Sequence, residues 1–174
     1  MTKLLDTIPR LVEARDEHGC TPIFLAVCKG FRDATQLLLN KGHCNVNAVE
    51  SVVGLRPLAV AISHEHFHLV DVLVKNGADV NLQDHAGKTS LQIGLFAHAT
   101  RGHTMKEEPY MAEMKRKWRR IGIKTNSDAL LAFLVSHGGD LNAYDCEGVT
   151  IKTMFQQRRD PVLKPLLEIQ RQRG

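Results

Sequence analysis

One eight-residue stretch recurs along this 174-residue chain and constrains its fold more than any other feature. Its clearest copy is Gly19-Cys20-Thr21-Pro22-Ile23-Phe24-Leu25-Ala26. Gly19 can take φ > 0 without a Cβ penalty. Thr21 is placed as an N-cap whose hydroxyl accepts a first-turn N–H. Pro22 fits the first helical position, where its missing N–H is no loss. Ile23 and Ala26 then share one helical face. Weaker copies are Gly54-Leu55-Arg56-Pro57-Leu58-Ala59-Val60-Ala61, Gly87-Lys88-Thr89-Ser90-Leu91-Gln92-Ile93-Gly94 and Gly148-Val149-Thr150-Ile151. A helix-start signal that recurs predicts an all-α array of repeated helical units.

The spacing locates the units. Successive box glycines are 35, 33 and 61 residues apart, and the last interval exceeds 33 by 28. One unit therefore carries a 28-residue insertion between its two helices. The first unit predicts helices over about 22–29 and 32–40, closed by Gly42 as a C′ glycine. The second predicts about 57–63 and 67–75, closed by Gly77. The third starts at Gly87, runs to about His98 and resumes with Ser127 as N-cap before Gly138-Gly139. The last predicts about 151–157 and 161–169, with Pro161 opening its second helix.

Box, period and exit together resemble the ankyrin repeat family, whose 33-residue unit has a β-turn, two helices and a T-P-L-H-x-A signature. The residues that carry the resemblance are Thr21-Pro22-Ile23-Phe24-Leu25-Ala26, Arg56-Pro57-Leu58-Ala59-Val60-Ala61 and the exit Gly77-Ala78-Asp79-Val80-Asn81. It covers roughly 10–98 and 127–169. The resemblance implies an ankyrin-repeat solenoid of helix-turn-helix units with β-hairpin-like finger loops. Residues 1–16 are then a partial repeat or N-terminal cap, 17–48 the first repeat and 49–82 the second. Residues 83–143 are the third, with the insertion at 99–126, and 144–174 a degenerate C-terminal capping repeat. A start half-way through a repeat suits either a fragment of a longer protein or an atypical cap. Exposed apolar side chains at Leu4, Leu5 and Ile8 would mark the fragment. Two departures stand out. Phe24, Ala59 and Gln92 occupy the box position where the family carries a His that ties neighbouring loops, which implies looser joints. Glu65 replaces the usual inter-helix Gly.

Composition narrows the function. Hydrophobic residues make up 43% but aromatics only 5%, so the core is built from Leu, Val, Ile and Ala. There is no run of eighteen apolar residues, so no membrane span is expected. Residues 1–18 lack the apolar centre of a secretory signal. Cys20, Cys28, Cys44 and Cys146 show no CxxC spacing, which suits a reduced intracellular setting, cytoplasmic or nuclear. No GxSxG, phosphate-binding GxxxxGK[ST], HExxH or Gly-rich dinucleotide turn is present, so an enzyme is not expected and no cofactor is implied. In His64-Glu65-His66-Phe67-His68 three histidines at i, i+2 and i+4 cannot share a helical face, which argues against a metal site. The resemblance instead gives His66 a role in packing between units.

The same resemblance implies a monomeric, non-catalytic interaction module, a scaffold or adaptor holding another protein. Its concave face would be made by finger tips and the open side of each first helix. By register that face is Glu17, His18, Cys20, Cys28 and Lys29; Val52, Val53, Leu55, Ser63 and His64; His85, Ala86 and Lys88; and Cys146, Glu147 and Val149. Val52, Val53 and Leu55 are apolar where a solvated tip would be polar. Either they fold back on a neighbouring finger or they contact a partner. Leu73 to Asn81 also resembles exit loops hydroxylated at the Asn, the alternative being that Asn81 only bonds the loop backbone.

The insertion is the most individual feature. The net charge of +4 is uneven. Residues 99–126 hold eight Lys/Arg against three Asp/Glu, 127–147 none against four, and 148–174 six against two. Glu107-Glu108 precede Pro109, where a helix can begin. Met111, Met114, Trp118 and Ile121 follow as one helical stripe, with Lys115, Arg116, Lys117, Arg119 and Arg120 on the other side and Gly122 as terminator. Three readings compete. The stripe docks on the repeats; the helix binds a protein partner; or 115–124 and the basic C-terminus (Arg158, Arg159, Arg171, Arg173) bind nucleic acid, an import receptor or an anionic membrane surface.

Overall fold

The computed structural model describes residues 9–41, 44–101 and 109–173. Leu4, Leu5, Ile8, Gly42, Glu107 and Glu108 lie outside the described residues. After a 3₁₀ turn at Pro9–Glu13 come α1 (Pro22–Cys28), α2 (Arg32–Lys41), α3 (Pro57–Ser63), α4 (Phe67–Lys75) and α5 (Ser90–Arg101). The insertion holds α6 (Pro109–Trp118) and a 3₁₀ turn at Arg119–Ile121. Then follow α7 (Asn126–Ser136), α8 (Ile151–Arg158) and α9 (Leu163–Arg171). No strand forms among the described residues, where a single bridge pairs Gln83 with Thr89. The fold is therefore all-α. The fingers are closed turns more than hairpin strands.

The chain divides into two compact units, Met1–Asp79 and Val80–Gly174. In the first, α1 pairs with α2 and α3 with α4, while α1 lies on α3 and α2 on α4. Each first helix turns one apolar stripe inward: Ile23 and Val27 from α1, Leu58 and Ile62 from α3, all buried. Phe67, Leu69 and Leu73 of α4 are buried as well. Between α3 and α4, Glu65 holds φ 59, so a side chain sits where the family glycine is expected. The four box glycines, Gly19, Gly54, Gly87 and Gly148, all adopt φ between +71 and +78.

The second unit is organised around α7. Its seven residues from Ala129 to Val135 are all buried. A helix that is apolar all round needs cover on every side. It packs against α5, α6 and α9. By contrast α2, which reads Arg32-Asp33-Ala34-Thr35-Gln36-Leu37-Leu38-Leu39-Asn40-Lys41, keeps a polar face. The insertion supplies the extra cover for α7. Met111 is fully buried, Met114 nearly so, and Ile123 closes the same side at 1% exposure.

Several boundaries differ from the sequence expectation. The N-cap of α7 is Thr125, not Ser127. Thr125 accepts the Asp128 N–H, and the Asp128 carboxylate accepts the Thr125 N–H, a reciprocal box that Ser127 has no acid to complete. Helix α5 runs on to Arg101, past the expected end at His98, so the insertion begins as helix. Pro161 does not open α9, which starts at Leu163. Pro161 sits in a turn where Asp160 Oδ1 accepts the Val162 N–H at 3.0 Å.

Thr21 is the instructive miss. It stands at the N-cap of α1, yet its buried hydroxyl has no partner among the described residues. Thr89 and Thr150 do cap: each hydroxyl accepts the N–H three positions on, and that residue's side chain reciprocates. Gln92 Oε1 accepts the Thr89 N–H, and Thr153 Oγ1 accepts the Thr150 N–H. After Thr21 that position holds Phe24, whose side chain cannot reciprocate.

Candidate functional site

Each finger loop is built around one carboxylate. Asp16 Oδ1 accepts the N–H groups of His18 (3.0 Å) and Cys20 (2.8 Å). Asp84 does the same for Ala86 and Lys88 at 2.9 and 2.8 Å, and Asp145 for Glu147 and Val149 at 3.0 and 2.9 Å. A backbone bond from each acid's own N–H closes the loop, onto the carbonyls of Cys20, Lys88 and Val149 respectively. These acids were not singled out in the sequence, although an Asp stands three residues before each of Gly19, Gly87 and Gly148.

The second finger is one residue longer and carries Glu50 in place of Asp. The longer side chain spans the longer loop. Glu50 accepts from Val52 (2.7 Å), Val53 (2.7 Å) and Leu55 (3.1 Å), and its own N–H reaches the Leu55 carbonyl at 3.0 Å. Burial opposes the charge on Glu50, which is only 5% exposed. The N–H groups of Val52, Leu55, Val53 and Gly54 outweigh it and hold the carboxyl below its ordinary range. The Cys20 N–H, opposed by desolvation, does the same for Asp16.

Neighbouring fingers are joined by backbone bonds. The Ser51 N–H donates to His18 O, and the Cys146 N–H to Ala86 O, each at 3.1 Å. Asparagines tie the exits. Asn47 accepts the Asp79 N–H and donates to Gly77 O, at 2.9 and 3.2 Å. Asn81 repeats the pattern with Asp140 N–H and Gly138 O, at 2.9 and 2.7 Å. Its amide thus bonds the backbone of the following exit loop, 57 to 59 residues on.

Gln92 corrects the expectation of a loose joint in the third repeat. It stands where the family carries His, and its amide donates to Val149 O at 3.1 Å and Ala143 O at 3.4 Å, tying the next finger. His66 bonds Cys28 O at 3.3 Å across 38 residues, a packing role between helix pairs.

The expected face divides by exposure. Glu17, His18, Lys29, His64, His85, Cys146 and Glu147 are exposed, and Cys28, Leu55, Ser63, Ala86, Lys88 and Val149 half-buried. Cys20 does not belong to it. Its thiol is buried under the loop that Asp16 closes, and burial together with the Asp16 charge pushes its pKa up. Cys44 is likewise pushed up to about 11 by burial and the charge of Glu13. Val52 and Val53 do not fold back: they are 67% and 50% exposed. Leu25 on α1 and Tyr144 in the last finger are further exposed apolar side chains that the sequence reading left out.

In the insertion, Met111 and Met114 are buried while Trp118 and Ile121 are half-buried, so the stripe docks. Arg116, Lys117, Arg119 and Arg120 are exposed and Lys115 half-buried. Lys117 lies 4.7 Å over the Trp118 ring.

Paired helices joined by clasped loops, with box turns of matching geometry and exit-loop amides, define a helical repeat protein. Residues 2–84 match the family model described as ankyrin repeats (3 copies), so this part of the chain is made of ankyrin repeats. It is 34% identical to the mouse B-cell lymphoma 3 protein homolog over 46% of this chain and 18% of that protein. It is 33% identical to rat ankyrin repeat and SAM domain-containing protein 6 over 54% of this chain and 10% of the other. It is 29% identical to human rabankyrin-5 over 75% and 12%. The matched part thus spans less than a fifth of each of these relatives. No helix among the described residues is long and apolar enough to cross a membrane.

Proposed function

We propose that this chain holds another protein without turnover, using the finger tips and the open sides of its first helices. The carrying observation is the second finger. Two valines, 67% and 50% exposed, stand on a loop that Glu50 fastens with three backbone bonds. Apolar side chains held outward on a stiff loop lose little conformational freedom when a partner covers them. The Ser51–His18 backbone bond sets the neighbouring tip, with exposed Glu17 and His18, beside them. An apolar centre with a charged rim is the usual anatomy of a protein contact. In the second unit the exposed tips His85 and Glu147 flank the Cys146–Ala86 bond and offer a polar counterpart. Repeat folds fix a surface and not a ligand, so the partner is chosen by these tips.

The test is a pull-down with the intact chain and with Val52→Ala/Val53→Ala. Loss of a specifically retained protein at an unchanged thermal midpoint supports the reading. Retention of every partner by the double variant overturns the role of this finger.

A further inference from the structure

Docking of the insertion uses up its apolar side and leaves Arg116 and Arg119 exposed. We infer that the side carrying these arginines is a second binding site, which takes a phosphorylated side chain of a partner protein. It goes beyond the finger reading and involves none of the finger residues.

The cations converge on one place. A cavity of about 440 Å³ is lined by Ala112, Lys115, Arg116, Arg119, Ile123 and Lys124. Among the described lining residues four are cationic and none is acidic. Arg116 and Arg119 stand three apart on α6 and its 3₁₀ extension, so their guanidinium groups emerge on one side. Gly122 follows with φ 94. That left-handed step turns the chain so that Ile123 is buried as the floor and Lys124 reaches the same cavity. The ion pairs described, Lys75–Asp71 and His18–Glu17, lie elsewhere, and among the described residues no carboxylate engages Arg116, Arg119 or Lys124.

The ligand follows from this geometry. Two guanidinium forks with lysine beside them suit a compact dianion with three acceptor oxygens better than scattered carboxylates. An anionic membrane surface is met best by cations spread over a flat face, whereas these line one cavity, and the apolar Met111 and Met114 that could insert are already buried against the fold. A nucleic-acid strand would need cations spaced along a track with free aromatic faces, whereas these close on one cavity and Trp118 is half-buried under Lys117. A phosphoserine or phosphothreonine, with flanking peptide over Ala112 and Ile123, fits both the charge and the apolar floor.

The test uses the full chain immobilised on a surface. The probes are a degenerate pool of nonapeptides centred on phosphoserine, its dephosphorylated twin, a 20-nucleotide single strand, and phosphatidylcholine vesicles with and without phosphatidylserine. The proposal expects retention of the phosphorylated pool over its twin. It expects Arg116→Glu/Arg119→Glu to reduce that retention by about tenfold or more, at an unchanged thermal midpoint, since both side chains are exposed. Val52→Ala/Val53→Ala should retain the pool fully, which separates this site from the finger. Equal retention of both pools, stronger retention of the single strand or of the anionic vesicles, or indifference to the double charge reversal would each overturn it.

Discussion

Glu50 accepts the backbone N–H of Val53 at 2.7 Å and so turns a flexible loop tip into a fixed apolar prong. The same carboxylate holds Val52 and Leu55, so one side chain sets the shape of the whole second finger. Replacing it with Ala leaves three loop N–H groups without their acceptor. We expect Glu50→Ala to lower unfolding stability by about 1–3 kcal/mol, read from urea denaturation. Glu50→Asp should recover only part of this, because the shorter chain suits the shorter fingers.

The carboxyl pKa values of Glu50 and Asp16 lie below their unfolded values. Groups depressed in the folded state contribute stability that is complete above the unfolded carboxylate range and lost as pH falls through the folded value. Urea midpoints should therefore be flat near neutrality and decline below roughly pH 4. Glu50→Gln should flatten that decline. An unaltered acid limb in the variant would show that Glu50 is not its source.

Glu65 holds a left-handed backbone at φ 59 between α3 and α4. An L-residue is strained there by about 1 kcal/mol relative to Gly. Glu65→Gly should accordingly stabilise the chain by about 0.5–1 kcal/mol, an uncommon sign for a loop substitution. A lower urea midpoint in the variant would show that the Glu65 side chain contributes something its backbone strain hides.

Asn81 links two exit loops through Asp140 N–H and Gly138 O. Asn81→Ala should cost about 1–2 kcal/mol and speed hydrogen exchange at the Asp140 amide selectively. Unchanged exchange there would mean that the bond is not formed in solution.

Met111 is fully buried between the insertion and α7. Met111→Ala should destabilise by roughly 2–4 kcal/mol through the cavity it leaves. Trp118, seven residues on and half-buried, should report loosening as a red-shifted emission.

Much of the fold was written locally. The box glycines all needed φ > 0 and all took it, and the 61-residue interval announced an insertion between two helices. The carboxylate clasps were equally local, three residues before three box glycines and four before Gly54, but weak motifs of one residue are seen only once the loop backbone is drawn around them. The seven apolar residues from Ala129 to Val135 also carried a message that went unread: a helix with no polar side requires an additional neighbour.

What the sequence by itself determined is the repeat, because turn stereochemistry and helical periodicity act over a few residues. It also set the charge of each segment, which no fold alters. Only the tertiary structure decided where surfaces went. Val52 and Val53 point outward because Glu50, not a neighbouring finger, holds their loop. Cys20 turns inward under the Asp16 clasp, and Gln92 replaces a histidine because its amide reaches Val149. The insertion buries its methionines against α7 and leaves its arginines outside. Each of these depends on what stands opposite a side chain, and that is fixed by residues tens of positions away.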